Sequence, residues 1–204
     1  MIALPRLYPI IDAGCFREAS EIVAFARELA AAGCTLMQYR NKLGNGRQML
    51  EQARALKQAL GTSVRLIMND RADLCLAAAF DGVHVGQDDL SPEGVRRVIG
   101  DELWLGISTH TPAQVSEATQ KPANYLAVGP VFATSSKINP DPAIGLEGVR
   151  QAKLLTDKPL VAIGGITREN CRQVIEAGAD SVAVISDVLT EPRKSAEDFF
   201  RILR

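Results

Sequence analysis

Gln38-Tyr39-Arg40-Asn41-Lys42 closes a short apolar run and sets two cations two residues apart. In an extended chain alternate side chains share a face, so Gln38, Arg40 and Lys42 point the same way. Arginine presents a planar fork of donors and lysine a point charge, and both suit phosphate oxygens. The competing reading is a solvated charge cluster leading into the Gly44-Asn45-Gly46 loop. Two acidic steps lie further along, Asn69-Asp70-Arg71 and Gly86-Gln87-Asp88-Asp89. Two carboxylates at adjacent strand ends, beside such cations, suit a magnesium–pyrophosphate group. Mg2+ takes one or two protein carboxylates and completes its shell with phosphate oxygens and water. Spacing alone leaves Asp88 and Asp89 equivalent, because Gly86 can break the alternation, and Asn69-Asp70 also reads as a helix N-cap.

The next polar step is Gly106-Ile107-Ser108-Thr109-His110, in which Gly106, Ser108 and His110 share a phase. A hydroxyl and an imidazole would then face one site, although His110 equally suits a cap or packing role at the following helix. His84, inside an apolar run, reads as a hydrogen-bonded interior residue. The stretch from Gly129 to Lys137 carries the hydroxyls Thr134, Ser135 and Ser136 and the cation Lys137. It continues without helical period to Gly145, so residues 133–145 read either as a lid over a phosphate or as a surface excursion. Gly164-Gly165-Ile166-Thr167 and Val184-Ile185-Ser186-Asp187 end the last two apolar runs. Glycine lets the backbone approach a phosphate closely, and main-chain N–H groups then donate to it.

These residues sit at the ends of a regular series of elements. Candidate strands are Leu7–Ile11, Leu36–Arg40, Val64–Met68, Gly82–Val85, Leu103–Ile107, Tyr125–Val128, Leu160–Ile163 and Ser181–Ile185. Amphipathic helical stretches intervene, among them Glu18–Ala32, Arg47–Leu60, Ala72–Ala79 and Arg168–Ala177, with a last helix at Ala196–Leu203. Ala32-Gly33-Cys34-Thr35 and Ala177-Gly178-Ala179-Asp180 form a weak repeat, each ending a helix with a glycine suited to a left-handed C-terminal turn. Strand–helix alternation requires parallel pairing with right-handed crossovers. Eight such units favour an α/β fold of the (β/α)8 TIM-barrel type, residues 1–204 forming one catalytic domain, over an open doubly wound sheet. In such a barrel the strand C-termini carry function, and the loops after the seventh and eighth strands bind phosphate.

Composition narrows the classes. At 204 residues with 47% hydrophobic and 23% charged residues, the chain reads as an ordinary globular protein. A formal charge of −1 supplies no basic face for nucleic acid. No apolar run reaches the roughly 20 residues that span a bilayer, and no secretory pattern opens the chain. A cytoplasmic protein is expected. The four cysteines (15, 34, 75 and 171) and two histidines are too scattered for a zinc site and read as reduced packing residues. The sequence leaves open whether the protein forms a homo-oligomer.

Taken together, the motifs resemble the thiamine phosphate synthase (thiamine-phosphate pyrophosphorylase) family. The matching stretches are 38–42, 69–71, Gly-Val-His-Val-Gly-Gln-Asp-Asp at 82–89 and 106–110. They continue through 129–137, Gly-Leu-Glu-Gly at 145–148 and Ala-Ile-Gly-Gly-Ile at 162–166, in one order over nearly the whole chain. The resemblance implies a transferase that joins an aminopyrimidinylmethyl pyrophosphate to a thiazole phosphate, releasing pyrophosphate and forming thiamine phosphate. By that analogy Gln38, Tyr39, Arg40, Asn41, Lys42, Asn69, Ser108 and Lys137 hold the pyrimidine pyrophosphate, with Arg40, Lys42, Ser108 and Lys137 serving catalysis. Asp70 and Asp89 bind Mg2+, the analogy choosing Asp89 over Asp88. Thr134, Ser135 and Ser136, with Gly165, Ile185 and Ser186, receive the thiazole phosphate. Two departures stand out: the first strand reads Tyr-Pro-Ile-Ile-Asp where the family more often has Val-Thr-Asp, and Ser136 replaces a common threonine.

Two other readings compete. A thiazole tautomerase of the same barrel family would share a histidine near the fifth strand, yet would leave the pyrophosphate cations and the Asp70/Asp89 pair without a use. A noncatalytic barrel that binds phosphate ligands would be marked by loss of those same charges, and they are present.

Overall fold

The computed structural model describes residues 2–134 and 141–204. Eight parallel strands pair in chain order and close on themselves: β1 (Leu7–Asp12), β2 (Leu36–Arg40), β3 (Arg65–Asn69), β4 (Gly82–Val85), β5 (Trp104–Thr109), β6 (Tyr125–Val128), β7 (Leu160–Ile163) and β8 (Ser181–Val184). The closing pair sets Tyr8 opposite Ala183 on β8, so the sheet has no free edge. Helices alternate with the strands: α1 (Ala19–Ala31), α2 (Gly46–Leu60), α3 (Ala72–Ala77), α4 (Pro92–Ile99), α5 (Pro112–Thr119), α6 (Gly145–Leu154), α7 (Cys171–Glu176) and α8 (Pro192–Ile202). The expected (β/α)8 barrel is the observed fold, and the open sheet is excluded by the β1–β8 ladder.

Alternation along the strands separates the core into two layers. One set of side chains, including Leu7, Ile11, Met37, Tyr39, Leu66, Met68, Leu105 and Leu126, faces outward and packs under the helices. The other set, Tyr8, Ile10, Leu36, Ile67, Tyr125, Ala127, Val161 and Ala183, fills the barrel interior, with Ile2, Leu4 and Trp104 packed against it. Near-continuous burial along each strand is what a parallel sheet covered on both faces demands.

Several boundaries differ from those the sequence suggests, each for a local reason. β5 runs two residues further than expected, to Thr109, because Ser108 and Thr109 pair with Ala127 and Val128 of β6. β3 is shifted by one, so Asn69 is a ladder residue opposite His84. The last helix starts at Pro192 rather than Ala196, since proline suits a first turn whose N–H needs no partner. α7 starts at Cys171 rather than Arg168, because Thr167–Asn170 forms a turn in which the Asn170 side chain accepts from the Thr167 N–H at 2.8 Å.

Candidate active site

The strand C-termini surround a cavity of about 520 Å³, within the range of small-molecule sites. β2 supplies its first wall. Gln38, Arg40 and Lys42 all line the cavity, as their shared phase requires. Tyr39 and Asn41 take the opposite phase, so the structure does not bring them to the cavity. The Tyr39 hydroxyl donates to Gln52 on α2, and Asn41 Nδ2 donates to the same Gln52 oxygen at 3.0 Å. Asn41 Oδ1 accepts from the Leu43 and Gly44 N–H groups at 3.0 and 2.7 Å, which shapes the turn that carries Lys42.

Each β2 cation is held by a carboxylate from a neighbouring strand end. Arg40 pairs with Asp12 at the end of β1, and Lys42 with Asp70 after β3. Asp70 sits at φ +62, a conformation that aspartate tolerates better than most residues. It does not cap α3, whose N-cap residue is Arg71 with no side-chain bond. Asp70 comes within hydrogen-bond reach of Asp89; burial, together with Asp89, pushes its carboxyl above the usual range against the pull of Lys42. Asp89 is anchored by the Gly86 N–H, which donates to Oδ2 at 2.8 Å. The cavity is lined by four carboxylates, Asp70, Asp88, Asp89 and Asp141, against Arg40 and Lys42 among the described residues.

β5 contributes Ser108 and His110, in the phase expected. The His110 ring is tied to the end of β6 through Nδ1 and the Gly129 carbonyl at 2.6 Å, and it stands 3.5 Å from the Asp141 carboxylate. Below them, His84 is the hydrogen-bonded interior residue expected. It contacts Ser108 Oγ through Nε2 at 2.8 Å and the Tyr125 hydroxyl through Nδ1 at 3.0 Å. Burial pushes its pKa down to about 4, so the ring is neutral at physiological pH.

The far wall is made of backbone. Gly164 and Gly165 have φ +99 and +62, conformations that a side chain would strain. The β6 loop is zipped onto them, with the Val131 N–H donating to the Ile163 carbonyl at 2.8 Å and the Phe132 N–H to that of Gly164 at 3.0 Å. Ile185 and Ser186 line the same end. Asp187 accepts from the Arg168 backbone N–H at 2.8 Å and from its guanidinium at 3.0 Å, tying the β8 loop to the β7 loop. Asn69 and Thr134 also line the cavity, whereas Ser135, Ser136 and Lys137, with the rest of 135–140 in the expected 133–145 lid, lie outside the described residues.

Sequence reasoning overlooked three contributors. Asp12 orients Arg40; its signal was a lone carboxylate at a strand end. Gln87 lines the cavity and donates to the Ser108 carbonyl. Tyr8, in the unusual first strand, reaches the cavity floor on the same phase as Ile10. No group of three or more His, Cys, Asp or Glu residues suited to a metal occurs among the described residues. A magnesium site of one or two protein carboxylates needs none.

Comparison with known proteins gives this arrangement a family. The family model described as thiamine monophosphate synthase matches residues 7–188. A thiamine-phosphate synthase of Koribacter versatilis is 59% identical over 99% of this chain and 97% of its own. One from Agrobacterium fabrum is 40% identical over 90% of this chain and 86% of its own. The solved thiamine phosphate pyrophosphorylase of Pyrococcus furiosus superposes with a TM-score of 0.86 at 35% identity, covering 97% of this chain and 95% of that one. With the barrel, the paired cations and the glycine wall all lying inside the matched span, the chain belongs to the thiamine monophosphate synthase family.

Proposed function

We propose that this protein is a thiamine phosphate synthase, a transferase acting as one catalytic domain over residues 1–204. It joins an aminopyrimidinylmethyl pyrophosphate to a thiazole phosphate and releases pyrophosphate. The observation that carries the reading is a single cavity lined both by Arg40 and Lys42 and by Gly164, Gly165 and Ser186, two sets of groups that suit two phosphorylated substrates. The tautomerase reading leaves Arg40 and Lys42 without a use, and the binder reading would be marked by their loss.

Arg40 and Lys42 hold the pyrophosphate oxygens, with Lys137 completing the set, while Gln38, Asn69 and Ser108 take the pyrimidine end. Asp12 keeps the Arg40 fork aimed. Tyr39 and Asn41 act at one remove, through the turn that carries Lys42. Thr134, Ser135 and Ser136, with Gly165, Ile185 and Ser186, receive the thiazole phosphate.

The carboxylate excess at the mouth fits a bound cation. A pyrophosphate entering a cavity lined by four carboxylates and two described cations is repelled until further positive charge is present. Asp70 and Asp89, hard oxygen donors within reach of each other, fit Mg2+. Held by Asp70 and Asp89, the ion would supply positive charge against that building on the departing pyrophosphate. The chain's own residues then have a positioning task. The carbon–oxygen bond to pyrophosphate breaks with its electron pair leaving on oxygen. The pyrimidinylmethyl cation is stabilised by its electron-rich ring, and the thiazole nitrogen lone pair forms the new carbon–nitrogen bond. Holding the two substrates in line supplies most of the acceleration.

No helix among the described residues is long and apolar enough to cross a membrane. The small-molecule substrates and free thiols fit a cytoplasmic setting. The decisive experiment is incubation of purified protein with both substrates and magnesium, followed by chromatography for thiamine phosphate and a pyrophosphate assay. Equimolar formation of both products is expected, and absence of thiamine phosphate refutes the reading.

A further inference from the structure

Across the barrel floor runs an unbroken line of side chains from five strands. Gln38 Nε2 donates to the Tyr8 hydroxyl at 3.1 Å, and Tyr8 meets the Tyr125 hydroxyl at 3.1 Å. Tyr125 meets His84 Nδ1 at 3.0 Å, and His84 Nε2 meets Ser108 Oγ at 2.8 Å. Gln38, Tyr8, Tyr125 and His84 are each at most 7% exposed, so bulk water has little access to the line. Gly106 makes the crossing feasible: a Cβ there would stand 2.2 Å from Tyr125 Cζ and 2.5 Å from His84 Nδ1.

Hydrogen-bond chemistry gives this line a direction. The Gln38 amide nitrogen has only donors. Tyr8, accepting from it, has one proton, and among the described residues its remaining partner is the Tyr125 oxygen. The polarity that the Gln38 donor favours has Tyr125 accepting from Tyr8 and giving its own proton to His84 Nδ1. A neutral imidazole that accepts at Nδ1 carries its proton on Nε2, and that proton goes to Ser108 Oγ. The Ser108 proton is then left to point into the cavity.

We propose that this line is a directional relay that locks His84 as the Nε2–H tautomer and so makes Ser108 a hydrogen-bond donor toward the ligand, with Tyr8 and Tyr125 as positioning residues. The ligand atom opposite Ser108 is an acceptor, such as a phosphate oxygen or a ring-nitrogen lone pair. In the reverse polarity Ser108 would spend its proton on His84 and turn lone pairs toward an anionic substrate. The kinetic consequence rests on the synthase reading; the tautomer does not.

The chain has two histidines, so nitrogen NMR of 15N-histidine-labelled protein reads each ring, with His110→Asn assigning the signals. His84 is expected to show a proton on Nε2 and a bare, accepting Nδ1. Ser108→Ala should leave that tautomer in place, because Tyr125 sets it. Tyr125→Phe, which keeps the ring and its packing, should release Nδ1 and produce a tautomer mixture. It should also lower kcat about three- to tenfold, the worth of one hydrogen bond, with the KM for thiazole phosphate unchanged. An Nδ1–H tautomer in the wild type overturns the relay, as does a tautomer that flips in Ser108→Ala but ignores Tyr125→Phe. A protein without synthase activity that still shows the Nε2–H form would keep the relay and refute only the reaction.

Discussion

Replacing Gly165 with alanine adds one methyl group where the backbone has φ +62, and that methyl would lie 2.5 Å from the Ala133 carbonyl oxygen and 2.8 Å from Phe132 Cβ. The left-handed conformation alone costs roughly 1–2 kcal/mol with a Cβ. The overlap adds to this, because Ala133 must withdraw by at least about 0.5 Å to reach the closest approach that Cβ atoms make. That withdrawal strains the hydrogen bond from the Phe132 N–H to Gly164, worth about 0.5–1.5 kcal/mol. A total near 2–3 kcal/mol leaves the barrel folded, since domains hold roughly 5–15 kcal/mol. At about 2–4 °C per kcal/mol for a chain of this size, Tm should fall by roughly 4–12 °C. Gly61→Ala is the internal control. Its φ is +60 and its ψ −132 with nothing within 4 Å of the new Cβ, so it shows the effect of positive-φ strain without a clash. The functional effect follows from displacement: a wall moved by half an ångström should raise the KM for thiazole phosphate on the order of tenfold. The KM for the pyrimidine pyrophosphate should stay within about twofold. Steady-state kinetics with each substrate varied, beside thermal unfolding of both variants, provide the readings. If Gly165→Ala lowers Tm as calculated and leaves both KM values unchanged, the glycine serves the turn and not the phosphate.

Three further outcomes are expected. Arg40→Ala removes a charge-assisted contact worth roughly 1.5–3 kcal/mol, so affinity for the pyrimidine pyrophosphate should drop about ten- to a hundredfold while thiazole phosphate binding changes little; calorimetry showing equal weakening of both ligands contradicts the assignment. Asp70→Asn and Asp89→Asn should each remove most activity, with excess magnesium partly rescuing the milder variant, and full magnesium-dependent activity in both would move the metal ligands elsewhere. Asparagine suits the left-handed backbone at position 70, so loss of activity there should come without loss of fold, as circular dichroism would verify. Burial pushes the Cys34 and Cys75 thiols up to about 12, and Cys171 is buried as well. A disulfide reagent at pH 8 should therefore label Cys15 alone in the native protein and all four cysteines after unfolding; rapid labelling of a second thiol in the folded state would contradict the packing.

Local rules settled much of this protein before any tertiary contact was considered. Alternating apolar runs and amphipathic stretches specify parallel strands with crossovers. The two-residue period along β2 places Gln38, Arg40 and Lys42 on one face, because pleating is a property of the chain itself. The glycine pair at 164–165 announces a backbone that a side chain would obstruct. Tertiary structure decided what no local rule reaches. Closure depends on β1 meeting β8, a pairing between chain ends more than 170 residues apart. The fold brings Asp89 to Asp70 across two strand ends, a proximity that spacing around Gly86 does not announce. Only the register of β1 on β2 sets Asp12 opposite Arg40. The Gln38–Tyr8–Tyr125–His84–Ser108 line is the extreme case. Its members come from five separate strands and become neighbours only because a closed barrel turns one face of every strand toward a shared axis, where buried polar groups must find one another.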